Sequence, residues 1–415
     1  MTVSPQRARP GSTELQALVD DLAETLGRSV VVDDPLVRMV CTSRHFGDED
    51  PVRVGTLLQG RADSATVRYV LSLGVARWTR PGFVDGRPDL GLLPRYVVPL
   101  RARGHLLGLL MIVAPDQALA EHETAAVARA AEAMATQMYG EQLASDTRRS
   151  DERTMVLELL DTDLATRTAA RRRALELGLI GEAGHVLVST VQLCRGTEPG
   201  RQSDTALWAA LEGLRRTRTA QGLVAVYQER AVLLQLRDRP PAPEEIEAQC
   251  ARILEELRTF LDPSAVPVIG VGGRQQGLAH AWTSYEQSQV AARAARRLPS
   301  LEGVGDWERL GALAVLLQLP EHALNPSLVP EPLRMLDRAH GGDRLRDTLR
   351  CFLENAGSIP RTADALSLHR TSLYYRLRQI QEITGLDLDD GAHRLTLHLG
   401  LRIGELLTAA APAHT

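Results

Sequence analysis

The chain contains no lysine. All 48 basic residues among its 415 are arginine, set against 52 Asp and Glu. A P-loop lysine and a Schiff-base lysine are therefore excluded. The bias reads as the mark of a GC-rich, actinobacterial-like coding sequence. Long apolar runs are also missing: none reaches the ~18 residues that a membrane span needs. The N-terminus has no apolar segment of the signal-peptide kind, so residues 1–13 are expected to form a disordered tail. No C-x-x-C occurs, and Cys41, Cys194, Cys250 and Cys351 lie far apart. They read as reduced, mostly buried thiols of a cytoplasmic protein, neither disulfides nor zinc ligands. No G-x-S-x-G or H-E-x-x-H is present. His393 and His398 are five apart, off a shared helical face. No metal and no cofactor are expected.

What is present is ordinary globular material, 44% apolar and 24% charged, in a chain too long for one core. Two or three domains are expected. The net charge of −4 gives no global attraction to nucleic acid, so any such contact needs a local patch. In the first block, Leu15, Leu18, Val19, Leu22 and Leu26 recur at helical spacing up to Gly27. Ser29–Val32 and Leu36–Cys41 flank the turn Asp33-Asp34-Pro35 as a strand pair. Tyr96–Leu100 and Leu106–Val113 make a second pair, and an Ala-rich helix follows from about Glu121 to Ala144. Val127, Ala131, Met134 and Met138 on that helix fit either a dimer seam or a cover for the block's own sheet. The charged run from Asp146 to Arg153 fits either a hinge or an exposed helical stretch.

The second block alternates strands at His185–Gln192, Gly222–Tyr227, Ala231–Leu236 and Val266–Val271 with helices at Thr205–Arg216, Pro243–Phe260 and Leu278–Arg297. That order predicts a sheet with helices packed on it. The last block places Leu345, Leu349, Phe352 and Leu353 on one helix face. Leu395, Leu399, Ile403, Leu406 and Leu407 supply a closing helix. The fold class is thus multidomain α+β, with two α/β blocks and an all-α end. The domain division is a tail over 1–13, then 14–145, 146–325 and 330–410.

Between the last two helices lies the stretch with most functional content. Ala363–Leu368 reads as the end of a short helix and a turn, and Arg370–Ile383 as a second helix, which together make a helix-turn-helix. At 3.6 residues per turn, Leu373, Leu377 and Ile380 fall on one face, with Thr384 at its end. Thr371, Tyr375, Arg378 and Glu382 fall opposite, flanked by Ser372 and Gln379. Recognition helices meet base edges with their N-terminal turns, so Thr371, Ser372 and Tyr375 are the candidates for base contact. Arg361, Arg370 and Arg378 can reach phosphates, for which a planar guanidinium is suited. Arg376 winds to the flank of the apolar stripe, placed for a phosphate or an internal carboxylate. From Arg361 to Thr384, four arginines stand against Asp364 and Glu382, a local balance of +2.

The run from Asp343 to Leu388 resembles the C-terminal helix-turn-helix of the PucR/CdaR family of bacterial transcription regulators. His369, Arg370, Leu373, Tyr375, Arg376, Leu377, Thr384, Gly385, Asp387 and Leu388 match its pattern. Thr371 stands where the family usually has Asn, and Ser372 where it usually has Thr, both on the base-reading turn. The match adds His369 to the DNA-binding set. The segment from Ile269 to Leu298 is similar to the family's middle domain, a degenerate relative of the GGDEF cyclase fold. Val97–Val113 resembles the closing hairpin of GAF domains. The resemblance implies a dimeric regulator that binds double-stranded operator DNA and answers to a small-molecule effector at its N-terminal domain. Trp78, Phe83, Arg87, Arg95 and His105 are the candidates there for lining a pocket.

Two rival functions remain in view. A sensor-coupled nucleotide cyclase needs a Gly-Gly turn for the triphosphate and carboxylates for a metal. The equivalent turn, Tyr227–Ala231, has no glycine and one carboxylate. A signalling scaffold that never touches DNA is the other rival. Gly341-Gly342-Asp343 precedes a helix and reads as its cap. Val271-Gly272-Gly273 ends a strand without a dinucleotide fingerprint.

Overall fold

The structure is a computed structural model that describes residues 12–47, 50–52, 64–181, 183–194, 201–217, 220–261 and 264–410. Most of the expected tail therefore lies outside the described residues. Helix α1 (Ser12–Leu26) buries Leu15, Val19, Leu22 and Leu26. It stops at Gly27, whose φ of +62° suits the left-handed cap. Strands β1 (Val30–Asp33) and β2 (Met39–Thr42) form the expected hairpin. Its turn closes because the Asp34 carboxylate accepts from the Leu36 and Arg38 amides at 2.9 and 3.0 Å. After α2 (Ser64–Ser72) and β3 (Gly82–Val84) come β4 (Arg95–Ala102) and β5 (His105–Val113). The antiparallel sheet has the order β2-β1-β5-β4-β3.

Side chains alternate across that sheet with period two. Val30, Val32, Val98, Leu100, Leu110 and Ile112 pack under α1 and the long helix α3 (Glu121–Leu159). Val97, Leu109 and Met111 pack on the other side with Val67 and Val70 of α2. In α3, Val127, Ala131 and Met134 are buried in this core, with Met138 packed at its edge. These four residues cover the block's own sheet. The charged run 146–153 is helical too, so α3 continues unbroken for 39 residues.

The end of α3 belongs to a second core. Met155, Val156 and Leu159 pack with α4 (Leu164–Glu176) on a second sheet. Its elements are β6 (His185–Cys194), α5 (Arg201–Glu212), β7 (Arg216–Thr217), β8 (Ala220–Tyr227), β9 (Arg230–Arg237), α6 (Pro243–Phe260), β10 (Val266–Val271), β11 (Gln275–Gln276), α7 (Ala281–Arg297), β12 (Val304–Asp306), α8 (Trp307–Leu310) and α9 (Leu313–Leu316). The sheet runs β12-β10-β6-β9-β8-β7, with β11 on β6. Glu152 of α3 accepts from the Val224 amide and from Arg215, which pins the helix to β8. Helices α5 and α6 cover the other face.

Helix α7 approaches this sheet closely. A Cβ on Gly270, Gly272 or Gly305 would lie 2.0, 1.9 or 2.1 Å from the carbonyl oxygen of Ser288, Ser284 or Ala291. The Val271-Gly272-Gly273 run thus ends a strand, as expected, and makes room for a helix.

The all-α end comprises α10 (Glu331–Arg338), α11 (Gly342–Glu354), α12 (Ile359–Ala365), α13 (Arg370–Thr384) and α14 (Gly391–Ala410). Leu345, Leu349, Phe352 and Leu353 are buried as expected. Helix α11 starts after Gly341, which caps with a left-handed backbone (φ +71°) and no side-chain bond, while Asp343 sits in the first turn. One expectation fails in α14. As far as Leu401, its buried leucines are Leu397 and Leu401, whereas Leu395 is 58% exposed and Leu399 half-buried; Ile403 is buried as expected. Gly400 and Gly404 decide this, because they let α14 close on Leu333, Pro330 and Arg346. Leu406 is buried as expected, against Val290 and Ala294 of α7 and Leu298 just past its end. No described helix is long and apolar enough to cross a membrane.

Candidate nucleic-acid interface

The helix-turn-helix is built from local signals. Ser358 caps α12: its side chain accepts from the Arg361 amide, and Pro360 occupies a first-turn position. The turn is closed by Leu368 N donating to Ala363 O at 2.8 Å. Ser367 adopts φ +52° there, a left-handed position that glycine would take more cheaply. His369 caps α13 with its ring, which accepts from the Thr371 amide and lies 3.1 Å from the Thr371 hydroxyl. Gly385, at φ +69°, ends the helix.

Leu373, Leu377, Ile380 and Thr384 of α13 are buried, and the three apolar ones join α10, α11 and α14 in one core. Opposite them, Thr371, Ser372, Tyr375, Arg378 and Glu382 are exposed. Tyr375 is 65% exposed, far more than a structural tyrosine needs. Tyr374, 60% exposed, also stands clear. It winds to the side of the polar face, so helical periodicity alone does not single it out. The signal available was its spacing of four from Arg378, which puts both on one flank.

Several motif residues have structural employment. Arg376 is half-buried and donates from Nη1 to Thr348 Oγ1 of α11 at 3.2 Å, so it ties the recognition helix to its support. The partner is a hydroxyl, where a phosphate or internal carboxylate was expected. Thr384 donates to Ile380 O at 2.6 Å, and Asp387 accepts from the Asp389 amide and from Gln381. Leu388 is buried, and its carbonyl receives Arg394.

Charge pairing divides the arginines of this end, with Arg344 of α11 exposed and without a carboxylate among the described residues. Arg334, Arg338, Arg346, Arg350, Arg394 and Arg402 each meet a carboxylate. Arg361, Arg370 and Arg378 are exposed and have no carboxylate partner among the described residues. Three cations on one short motif remain available to an outside anion.

Elsewhere the expectations divide. The hairpin turn between β8 and β9 holds Gln228 and Glu229 at φ +48° and +61°, so side chains occupy the site of the cyclase glycines. The four cysteines are free; Cys41 and Cys250 are buried, and burial pushes both thiols up to about 12. Among the described residues no group of three His, Cys, Asp or Glu could hold a metal. In the N-terminal block, Phe83 packs against Tyr96 with the rings tilted by 54°, Arg87 pairs with Asp89, and His105 is exposed at a strand start. Trp78 is half-buried, its carbonyl taken by Arg101. Of the five pocket candidates, Arg95 lines a cavity, together with Asp33.

Burial pushes the Asp33 carboxyl up to about 7, against the pull of Arg95. An aspartate in the unfolded chain titrates at its ordinary value of 3.8. Across that window the folded chain holds a proton that the unfolded chain has lost, so stability falls as pH rises. Asp33→Asn removes the loss. Thermal melts near pH 5 and near pH 8 check this: the variant's gain over the parent should be larger at the higher pH. An equal gain at both would show that Asp33 ionises freely.

Residues 345–403 match the PucR C-terminal helix-turn-helix domain, and residues 161–294 match a GGDEF-like domain. The chain is 34% identical over 93 residues to the carbohydrate diacid regulator of Escherichia coli, covering 22% of this chain and 24% of that protein. It is 32% identical over 121 residues to the transcriptional activator PmfR of Paenarthrobacter nicotinovorans, covering 28% and 25%. It is 24% identical over 164 residues to the proline-responsive transcriptional activator PutR of Bacillus subtilis, covering 38% and 40%. The matches thus span between a quarter and two-fifths of these relatives' lengths. A solved regulator of polyketide synthase expression from Bifidobacterium adolescentis aligns over 62% of this chain and 99% of its own, at 19% identity and a TM-score of 0.28. These relatives carry regulatory names, and the GGDEF-like match is of the degenerate kind found in such regulators.

Proposed function

From the premise that this chain is a transcriptional regulator of the PucR/CdaR type, we propose that α13 reads operator DNA. Thr371, Ser372 and Tyr375 meet the bases, and Arg361, Arg370 and Arg378 hold phosphates. The observation that carries this is that those three arginines meet no carboxylate among the described residues, beside a face of exposed hydroxyls. His369 acts by capping the helix and Arg376 by tethering it. Two copies read two half-sites of double-stranded DNA, because +2 of local charge gives one copy little hold. The division of labour is a sensor over 14–145, a middle unit over 146–325 and a reader over 330–410, with the first boundary inside α3. The sensor takes a small-molecule effector, a reading favoured by the names of the carbohydrate diacid and proline-responsive relatives. The protein works in the cytoplasm.

A gel shift with DNA from upstream of the chain's own gene tests the proposal, with shuffled DNA as control. No preferential shift at low salt sinks it for that site. Within the motif, Tyr375→Ala should change which sequence is preferred across a site library. Arg376→Ala should weaken all sequences alike, about tenfold, because it loosens the helix rather than a base contact. Thr348→Val should match Arg376→Ala. If Thr348→Val leaves binding intact while Arg376→Ala does not, Arg376 touches DNA itself.

A further inference from the structure

Of the three hydroxyls proposed to meet bases, that of Thr371 has a partner inside the protein. Its Oγ1 lies 3.1 Å from Nδ1 of His369, and the Thr371 amide donates to the same nitrogen at 3.4 Å. The hydroxyls of Ser372 and Tyr375 have no partner among the described residues. Those two can turn to donate or to accept, as an incoming base requires.

The two contacts fix where the protons lie. A neutral imidazole has one N–H and one bare nitrogen. The amide proton of Thr371 points at Nδ1, so Nδ1 is the bare one; a proton there would face the amide proton head on. The positive end of the helix dipole also disfavours a second proton on a ring set at the N-cap. The ring's proton is therefore on Nε2. With Nδ1 an acceptor, the 3.1 Å contact is the Thr371 hydroxyl donating to it. A helical threonine ordinarily donates to the carbonyl four residues back. For Thr371 that residue is Ser367, which lies outside α13, and no such bond forms among the described residues. A hydroxyl has one proton and two lone pairs. His369 holds the proton, so what Thr371 can offer an outside group is an acceptor.

We propose that Thr371 reads an exocyclic amino group in the major groove, cytosine N4 or adenine N6, and that His369 is the positioning residue that restricts it to this. The proposal rests on the DNA-reading role given to α13 above. In the major groove cytosine and adenine present an amino donor, whereas guanine and thymine present acceptors and, for thymine, a methyl group. A free hydroxyl serves either kind. One whose proton is held by His369 would meet guanine O6 or thymine O4 with lone pair against lone pair. The contacted strand should therefore carry A or C at that position, with G and T rejected. Minor-groove contacts do not group the bases this way, because they separate A·T from G·C pairs.

The test is selection by the full chain from a randomised library of double-stranded sites, sequenced before and after. The parent should show one position per half-site where A and C on one strand both exceed G and T, by about fivefold. Thr371→Val keeps the side chain's shape and removes the hydroxyl. It should abolish the A-or-C preference at that position and leave the other positions as they were. Thr371→Ser should keep the parent's ratio. His369→Gly removes the ring, and glycine replaces a capping side chain at small cost. The freed hydroxyl can then donate, so G and T should be admitted at that one position. A ring that only capped the helix would instead lower affinity for all sequences and leave the base ratio unchanged. Sequence preference without an A-or-C position, such a preference surviving Thr371→Val, or one surviving His369→Gly would each overturn the assignment, while preferences at the remaining positions would show that α13 still reads DNA. No preference at any position would remove the DNA-reading proposal, and this one with it.

Discussion

Replacing Arg361, Arg370 and Arg378 together with glutamine is expected to weaken DNA binding roughly hundredfold or more at physiological salt. The reason is that these cations meet no carboxylate among the described residues. Their loss breaks no ion pair among the described residues, and all three are exposed. The fold should therefore survive, with the melting temperature close to the parent's. Each phosphate contact contributes about 0.9 to the slope of log affinity against log salt, so three lost contacts flatten it by about 2.7 per copy. Affinities measured across a salt series check both numbers. A matching triple substitution at Arg334, Arg346 and Arg402, which are paired to Glu331, Asp337 and Glu354, is the control. Were the control to flatten the slope as much, the division between paired and available arginines would carry no meaning for DNA.

Gly272→Ala is expected to cost about 3 kcal/mol or more of stability. Its Cβ would meet Ser284 O at 1.9 Å and Ser284 Oγ at 2.5 Å. Neither can withdraw. Ser284 is fully buried in α7, and its hydroxyl accepts from the Val188 amide of β6 at 2.9 Å. One methyl group would therefore force the helix off the sheet and orphan a strand amide. The opposite sign is expected for Gly140→Ala. Gly140 lies exposed inside α3 with nothing within 4 Å of an added Cβ, so alanine should stabilise by ~0.5–1 kcal/mol. Urea unfolding midpoints for the two variants check the pair. A neutral Gly272→Ala would mean that α7 can ride higher than it does.

The strands β6, β8, β9 and β10 were legible because their apolar runs are short, β-branched and bounded by turns. Helix α13 was legible because its leucines keep helical spacing while its polar residues fall opposite. The rest depended on distant partners. Leu395, Leu397, Leu399 and Leu401 alternate every second residue, so two faces of α14 looked equally apolar, and Gly400 and Gly404 settled which one packs. Arg376 finds Thr348 only across 28 residues, and Arg95 finds Asp50 across 45. Asp33 read as part of a turn because Asp34 and Pro35 follow it. Its burial comes from strand β5, paired to it by tertiary structure alone.

The unbroken helix α3 bears on how a filled cavity could be felt elsewhere. At 1.5 Å per residue, its 39 residues make a rod about 58 Å long. One half is clamped to the sheet above the cavity, and the other to the sheet that α7 covers. The rod has no proline, and Gly140 is its one soft link. A shaft gripped at both ends carries torque. A small rotation imposed at the sensor sheet would arrive at Glu152 and β8 as the same rotation, and α7, wedged against that sheet and touching Leu406, stands next in the gear train.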